Sequence, residues 1–155
     1  MPGWVLLAYR VPREPSTPRI AIWRSLKRLG VAQLLDGLVA LPLDNRNREQ
    51  FEWLADEIVE ADGEATLWVA QPARATEERA LQEQMASAIA DEYRSIISAA
   101  KETRGSSSSS RAARTLDRLR RELRRIEQRD YFPPPQRERA IRAVEQLAAL
   151  MEVAP

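Results

Sequence analysis

The sequence predicts an α+β fold, with four short strands and two helices in the order βαββαβ, followed by a run of helices. Three observations carry this. Residues 4–9 (WVLLAY) and 65–70 (ATLWVA) are brief apolar runs rich in strand formers, each followed by a stretch that contains proline. Residues 31–34 and 38–41 are separated only by Leu35-Asp36-Gly37, a tight turn in which glycine supplies a positive φ. Everywhere else the apolar period is three and four residues, and from Thr76 onward it stays there.

The first strand, 4–9, is stopped by Pro12, Pro15 and Pro18. Ser16 or Thr17 is expected to cap the helix that follows, with Pro18 in its first turn, where a missing amide hydrogen costs nothing. Ile20, Trp23, Leu26 and Leu29 are its expected apolar face, and Gly30 ends it. After the hairpin, Asp44 or Asn45 caps a second helix whose inward face is Phe51, Leu54, Ala55, Ile58 and Val59, ending near Asp62-Gly63. The strand at 65–70 completes the set. This order and these lengths belong to a ferredoxin-like sheet with both helices on one face. A doubly wound parallel sheet would need a helix where only a turn separates Leu34 from Leu38.

The second half is read as a helical hairpin with a returning C-terminal helix. Thr76 caps a helix reaching about Arg104, striped by Leu81, Met85, Ile89, Tyr93, Ile96 and Ala100. Residues 105–110 (GSSSSS) are expected to form a mobile linker. The next helix, 112–129, carries Leu116, Leu119, Leu123 and Ile126 at the spacing of a helix packed along another helix, expected to be 77–104. After Asp130-Tyr131-Phe132 and three prolines, Ile141, Val144, Leu147, Ala148 and Met151 face inward from the last helix. The expected organisation is a ferredoxin-like subdomain at 1–72 and a helical subdomain at 73–155.

Composition narrows function. The chain has no cysteine and no histidine. That removes disulfides, thiolate nucleophiles, imidazole bases and the usual zinc ligands. No glycine-rich phosphate loop occurs, and the carboxylates are scattered, so no catalytic residue, metal site or cofactor is expected. Asp36 is expected to serve the hairpin turn. No apolar run approaches the roughly 20 residues of a membrane span, and the first residues lack a signal-peptide pattern, so a cytoplasmic chain is expected.

The net charge of +1 hides an anomaly. Between Arg111 and Arg129 stand eight arginines against Asp117, Glu122 and Glu127, a local charge of +5. Arg111, Arg114, Arg118, Arg121, Arg125 and Arg129 step by three and four and line one side of the helix, with Arg120 and Arg124 beside them. Guanidinium groups bind phosphate bidentately, so this stripe is the candidate nucleic-acid contact. The competing reading is a solvated face held by exposed ion pairs, in a chain that uses arginine where others use lysine. A secondary basic face is expected from Arg10, Arg13, Arg19, Arg24 and Arg28, where charges presented to water are the competing reading. Trp23, Trp53 and Trp68 are expected to pack in the core or an interface rather than stack on bases. An antiparallel sheet covered on one face leaves the other face or an edge open, so a homodimer is expected, the alternative cover being the helical half of the chain.

The strings WVLLAYRVPREPSTPRIAIWRSLKRLGVAQLLDGLVALP, GEATLWVAQ and RRELRRIEQRDYFPPP resemble the N-terminal domain of the ChrB family of chromate-resistance regulators across nearly the whole chain. The resemblance implies a role in chromate-responsive transcription regulation, with DNA as partner and chromate as a candidate oxyanion effector among the arginines. The alternative is a non-catalytic protein-interaction or dimerisation module. The helix and GVAQLLDGLVALP are more distantly similar to the C-terminal region of PaaX-type repressors and to small ferredoxin-like nucleases of CRISPR adaptation. Those nucleases carry a metal-binding aspartate at the end of the first strand. Here that stretch reads Ala8-Tyr9-Arg10, so no nuclease activity is expected. The family continues into a second domain, so a chain ending at Pro155 is expected to be a truncated piece or a short member with reduced sensing.

Overall fold

A computed structural model describes residues 3–105 and 109–153. The elements are β1 (Trp4–Arg10), α1 (Ser16–Leu29), β2 (Ala32–Leu35), β3 (Leu38–Pro42), α2 (Asn45–Glu60), β4 (Glu64–Ala70), α3 (Ala75–Arg104), α4 (Ser109–Gln128) and α5 (Gln136–Val153). The chain divides into two compact units, Met1–Gln84 and Met85–Pro155, and the division falls inside α3.

In the first unit the sheet runs β2-β3-β1-β4 with every neighbour antiparallel, the ferredoxin-like order. Alternation along β1 sorts its two faces. Val5 and Leu7 sit opposite Leu41 and Val39 of β3, and all four are buried with Phe51, Leu54 and Ile58 of α2 and Ile22 and Leu26 of α1. Helix α2 packs on β1 and β4, and α1 packs on α2. Trp4, on the other face of β1, is also buried, and its indole Nε1–H donates to Glu78 Oε2 at 2.7 Å. The opening turns of α3 thus belong to this unit. At the β2 edge, Gln84 of the same helix binds both backbone groups of Gln33: its Oε1 accepts from the N–H at 2.6 Å and its Nε2 donates to the C=O at 3.2 Å.

The hairpin forms, but Leu35, expected in the turn, is the last residue of β2 and pairs with Leu38, so that Asp36 and Gly37 alone join the strands. Gly37 has φ of 76°, and a Cβ there would lie 2.5 Å from the carbonyl oxygen of Tyr9, so both conformation and space require glycine. Asp44 caps α2, accepting from the N–H of Asn47 at 2.6 Å. Two expectations for α1 fail. Ser16 already lies inside the helix, the cap position is Pro15, and no side chain closes that end. The inward residues are Ile22 and Leu26, whereas Ile20 and Trp23 are 46% and 56% exposed. Lys27 sits 4.5 Å above the Trp23 ring, a surface cation–π contact. Val59 of α2, expected inside, is also exposed.

The second unit is built on one core shared by three helices: Ile89, Tyr93, Ile96 and Ala100 of α3, Leu116, Leu119, Leu123 and Ile126 of α4, and Ala140, Ala143, Val144 and Leu147 of α5. Ile141, Ala148 and Met151 pack at its rim. The α4 stripe matches the sequence reading, and the α3 stripe does so from Met85 onward, Leu81 being only half-buried. Of the expected linker, residues 106–108 lie outside the described residues, and Ser109 and Ser110 are the first residues of α4.

Candidate nucleic-acid interface

The leucine seam of α4 decides where its arginines point. At about 100° per residue, Ala112, Leu116, Leu119, Leu123 and Ile126 centre on one direction, and Arg111, Arg114, Arg118, Arg121 and Arg125 centre about 140° away. The first set is buried and the second exposed, so core packing holds the guanidinium groups toward solvent. The five span roughly 21 Å along the axis. Only Arg118 of this set has an ion pair among the described residues, to Glu122 at 3.1 Å along the same face. Arg120 and Arg124 are exposed to one side, and Asp117 stands between the arginines.

Arg129 is not part of this row. It lies beyond Gln128, where α4 ends, and its side chain is only 20% exposed because it forms an ion pair with Glu92 of α3. Beside it Tyr93 Oη–H donates to Asp130 Oδ2 at 2.6 Å. Burial first, then the Asp130 hydrogen bond, pushes the Tyr93 hydroxyl far above the usual tyrosine range, so it remains a neutral donor. The sixth residue of the sequence stripe therefore serves the junction of α3 and α4.

The secondary basic residues do not form one face. Arg10 pairs with Glu64 at 2.7 Å across β1 and β4, and Arg13 stands in the loop before α1. Arg19 is near enough to Tyr9 to oppose the rise in that hydroxyl's pKa, which comes mainly from burial and then from Asp36. Arg24 and Arg28 point about 140° or more away from Arg19 around the helix. Arg28 donates to Ser25 Oγ at 3.0 Å, and both line a groove of about 300 Å³ between α1 and α2, with Gln50, Trp53 and Glu57. Sequence reasoning missed this groove, because its two walls are more than twenty residues apart in the chain.

The expected core role fails for three tryptophans: Trp23, Trp53 and Trp68 are each more than half exposed. Among the described residues no three carboxylates converge on a metal-sized site, and no helix is long and apolar enough to cross a membrane.

These features define a ferredoxin-like sheet module continued by a helical unit with one guanidinium-rich face. Residues 19–105 match the family model described as Protein ChrB, N-terminal, and the chain belongs to that family. It is 31% identical over 134 residues to Protein ChrB of Cupriavidus metallidurans, an alignment covering 84% of this chain and 41% of that protein. The chain thus spans about two fifths of that relative. Wherever it starts, a stretch covering 84% of 155 residues includes all of α4, which the family model does not reach. No solved structure matches the chain.

Proposed function

We propose that this chain is a regulatory module of the ChrB type that binds DNA through the exposed face of α4, acts in chromate-responsive transcription control, and catalyses no reaction. The observation that carries the reading is the opposition of the two α4 faces: a fully packed leucine seam behind and five exposed arginines in front. Arginines fixed on a rigid helix offer planar donors to successive phosphates without ordering a flexible segment. The contact is electrostatic and reads backbone rather than base edges, so it positions the protein more than it selects a sequence. An oxyanion such as chromate, a tetrahedral dianion, also offers acceptor oxygens to the same guanidinium groups. The DNA-bound form is a homodimer, which doubles the arginine face.

A mobility-shift titration of duplex DNA across ionic strength tests this. With all five arginines neutralising phosphates, the log–log slope of affinity against salt is about −4 to −5. Absence of binding at low salt overturns the reading. Incubation of plasmid with magnesium or manganese checks the non-enzymatic part, and intact DNA is the expected result.

The exposure of Trp23, Trp53 and Trp68 favours a second reading, a protein-interaction module in which the arginines only solvate the surface. Under it, binding to DNA is weak and indifferent to substitutions on α4.

A further inference from the structure

The two edges of the sheet are treated in opposite ways. Strand β2 spans only Ala32–Leu35 and its register with β3 shifts between Gln33 and Leu35. The backbone N–H and C=O of Gln33 are both taken by the Gln84 side-chain amide, which occupies the position of a further strand. Shortness, irregular register and a capping side chain are devices that blunt an edge. Strand β4 has none of them. It is seven residues long, pairs with β1 in unbroken register from Glu64 to Ala70, and contains no proline and no lysine.

The hydrogen-bond directions along β4 follow from its neighbours. The N–H of Tyr9 donates to Gly37 and the C=O of Gly3 accepts from Leu43, so the odd-numbered residues of β1 turn their backbone groups toward β3. The even-numbered ones turn toward β4, which makes Trp4 with Ala70, Leu6 with Trp68, Ala8 with Thr66 and Arg10 with Glu64 the bonded pairs. The backbone groups of Ala65, Leu67 and Val69 therefore point outward, and no other strand among the described residues meets them.

We infer that β4 pairs antiparallel with β4 of a second copy of this chain, about a two-fold axis at Leu67. The inference rests on the homodimer of the reading above and not on its DNA contact. In this register Leu67 faces Leu67, Ala65 exchanges hydrogen bonds with Val69, Thr66 lies opposite Trp68, and Glu64 lies opposite Ala70. The strand is self-complementary. Its only charge, Glu64, meets an alanine and is already paired to Arg10 within its own sheet. Trp68 and Val69, 59% and 58% exposed, are on opposite faces of the strand, so the pairing covers apolar surface on both sides.

The test is sedimentation equilibrium at micromolar concentration on the full chain and two double variants, each checked by circular dichroism for retained secondary structure. The parent is expected at twice the 17.6 kDa chain mass. Thr66→Glu with Trp68→Glu sets like charges opposite each other twice and is expected to give a monomer. Thr66→Lys with Trp68→Glu removes the same apolar surface but sets opposite charges across the axis, and is expected to restore the dimer. A monomeric parent overturns the inference. So does a dimer that survives in the first variant, or one that the second fails to restore. DNA binding is measured separately on the parent. A monomer that binds with the expected salt slope defeats the homodimer and its strand pairing but leaves the α4 contact with DNA standing, and a dimer that does not bind defeats only the DNA contact.

Discussion

In the unit Met85–Pro155 the long apolar side chains of α4 are all turned inward and the outward surface of that helix is charge. In the unit Met1–Gln84 the core under the sheet is equally closed, with Val5, Leu7, Leu41, Phe51 and Ile58 fully buried, yet three tryptophans remain outside. The difference lies in what each surface can recruit. A guanidinium face attracts polyanions over a distance set by salt, whereas exposed indoles and an open strand edge gain only when another apolar or hydrogen-bonding surface arrives. Under the proposed reading the two units divide the work of contact: electrostatic in the helical unit, hydrophobic and backbone-mediated in the sheet unit.

The largest expected effect comes from opening the helical core. Leu119→Ala removes a side chain that is 0% exposed and shared by three helices, at a cost of roughly 2–5 kcal/mol. Amide exchange is expected to accelerate in α4 and α5 while the protected amides of β1 keep their rates. If β1 loses protection equally, the two units do not respond separately.

Next comes the polar junction of α3 and α4. Tyr93→Phe takes the donor from Asp130 Oδ2 and is expected to cost about 1–3 kcal/mol at neutral pH. The pH dependence has a definite sign. Because the folded-state pKa of Tyr93 lies above that of the unfolded chain, its contribution is complete below about pH 10 and falls as pH rises beyond that. Chemical denaturation at rising alkaline pH is therefore expected to show a steeper loss in the parent than in Tyr93→Phe. Parallel curves contradict the assignment.

A smaller effect is expected in the sheet unit. Asp44→Ala removes the cap of α2 and costs about 1 kcal/mol, visible as a shift in the denaturation midpoint. The smallest belongs to the arginine face: Arg118→Gln with Arg121→Gln and Arg125→Gln should change stability by no more than about 0.5 kcal/mol, since it removes one exposed ion pair and no packing.

What the sequence disclosed and what it withheld follow one physical division. The glycine turn at Gly37, the capped start of α2 and the seam of α4 depend on residues within a few positions of one another, and the structure has all three, with Asp44 rather than Asn45 as the cap and Leu35 drawn from the turn into β2. The facing of α1 was ambiguous because Ile20, Ile22, Trp23, Leu26 and Leu29 fit two overlapping stripes. Only packing against α2 selects Ile22 and Leu26. Likewise nothing local marks Arg129 as different from the arginines before it. Its partner Glu92 is 37 residues away. The attachment of early α3 residues to the sheet, through Trp4 with Glu78 and Gln33 with Gln84, joins residues 74 and 51 positions apart and had no periodic signal.

The most direct test of the central claim is a salt titration of duplex binding for two variants side by side. Arg118→Gln with Arg121→Gln and Arg125→Gln deletes three charges from the α4 face, and Arg24→Gln with Arg28→Gln deletes two from α1. The account predicts a log–log slope shallower by about two to three units for the first and a slope unchanged from the parent for the second. A triple variant that binds like the parent, together with an α1 variant that no longer binds, would contradict it and move the DNA contact to the sheet unit.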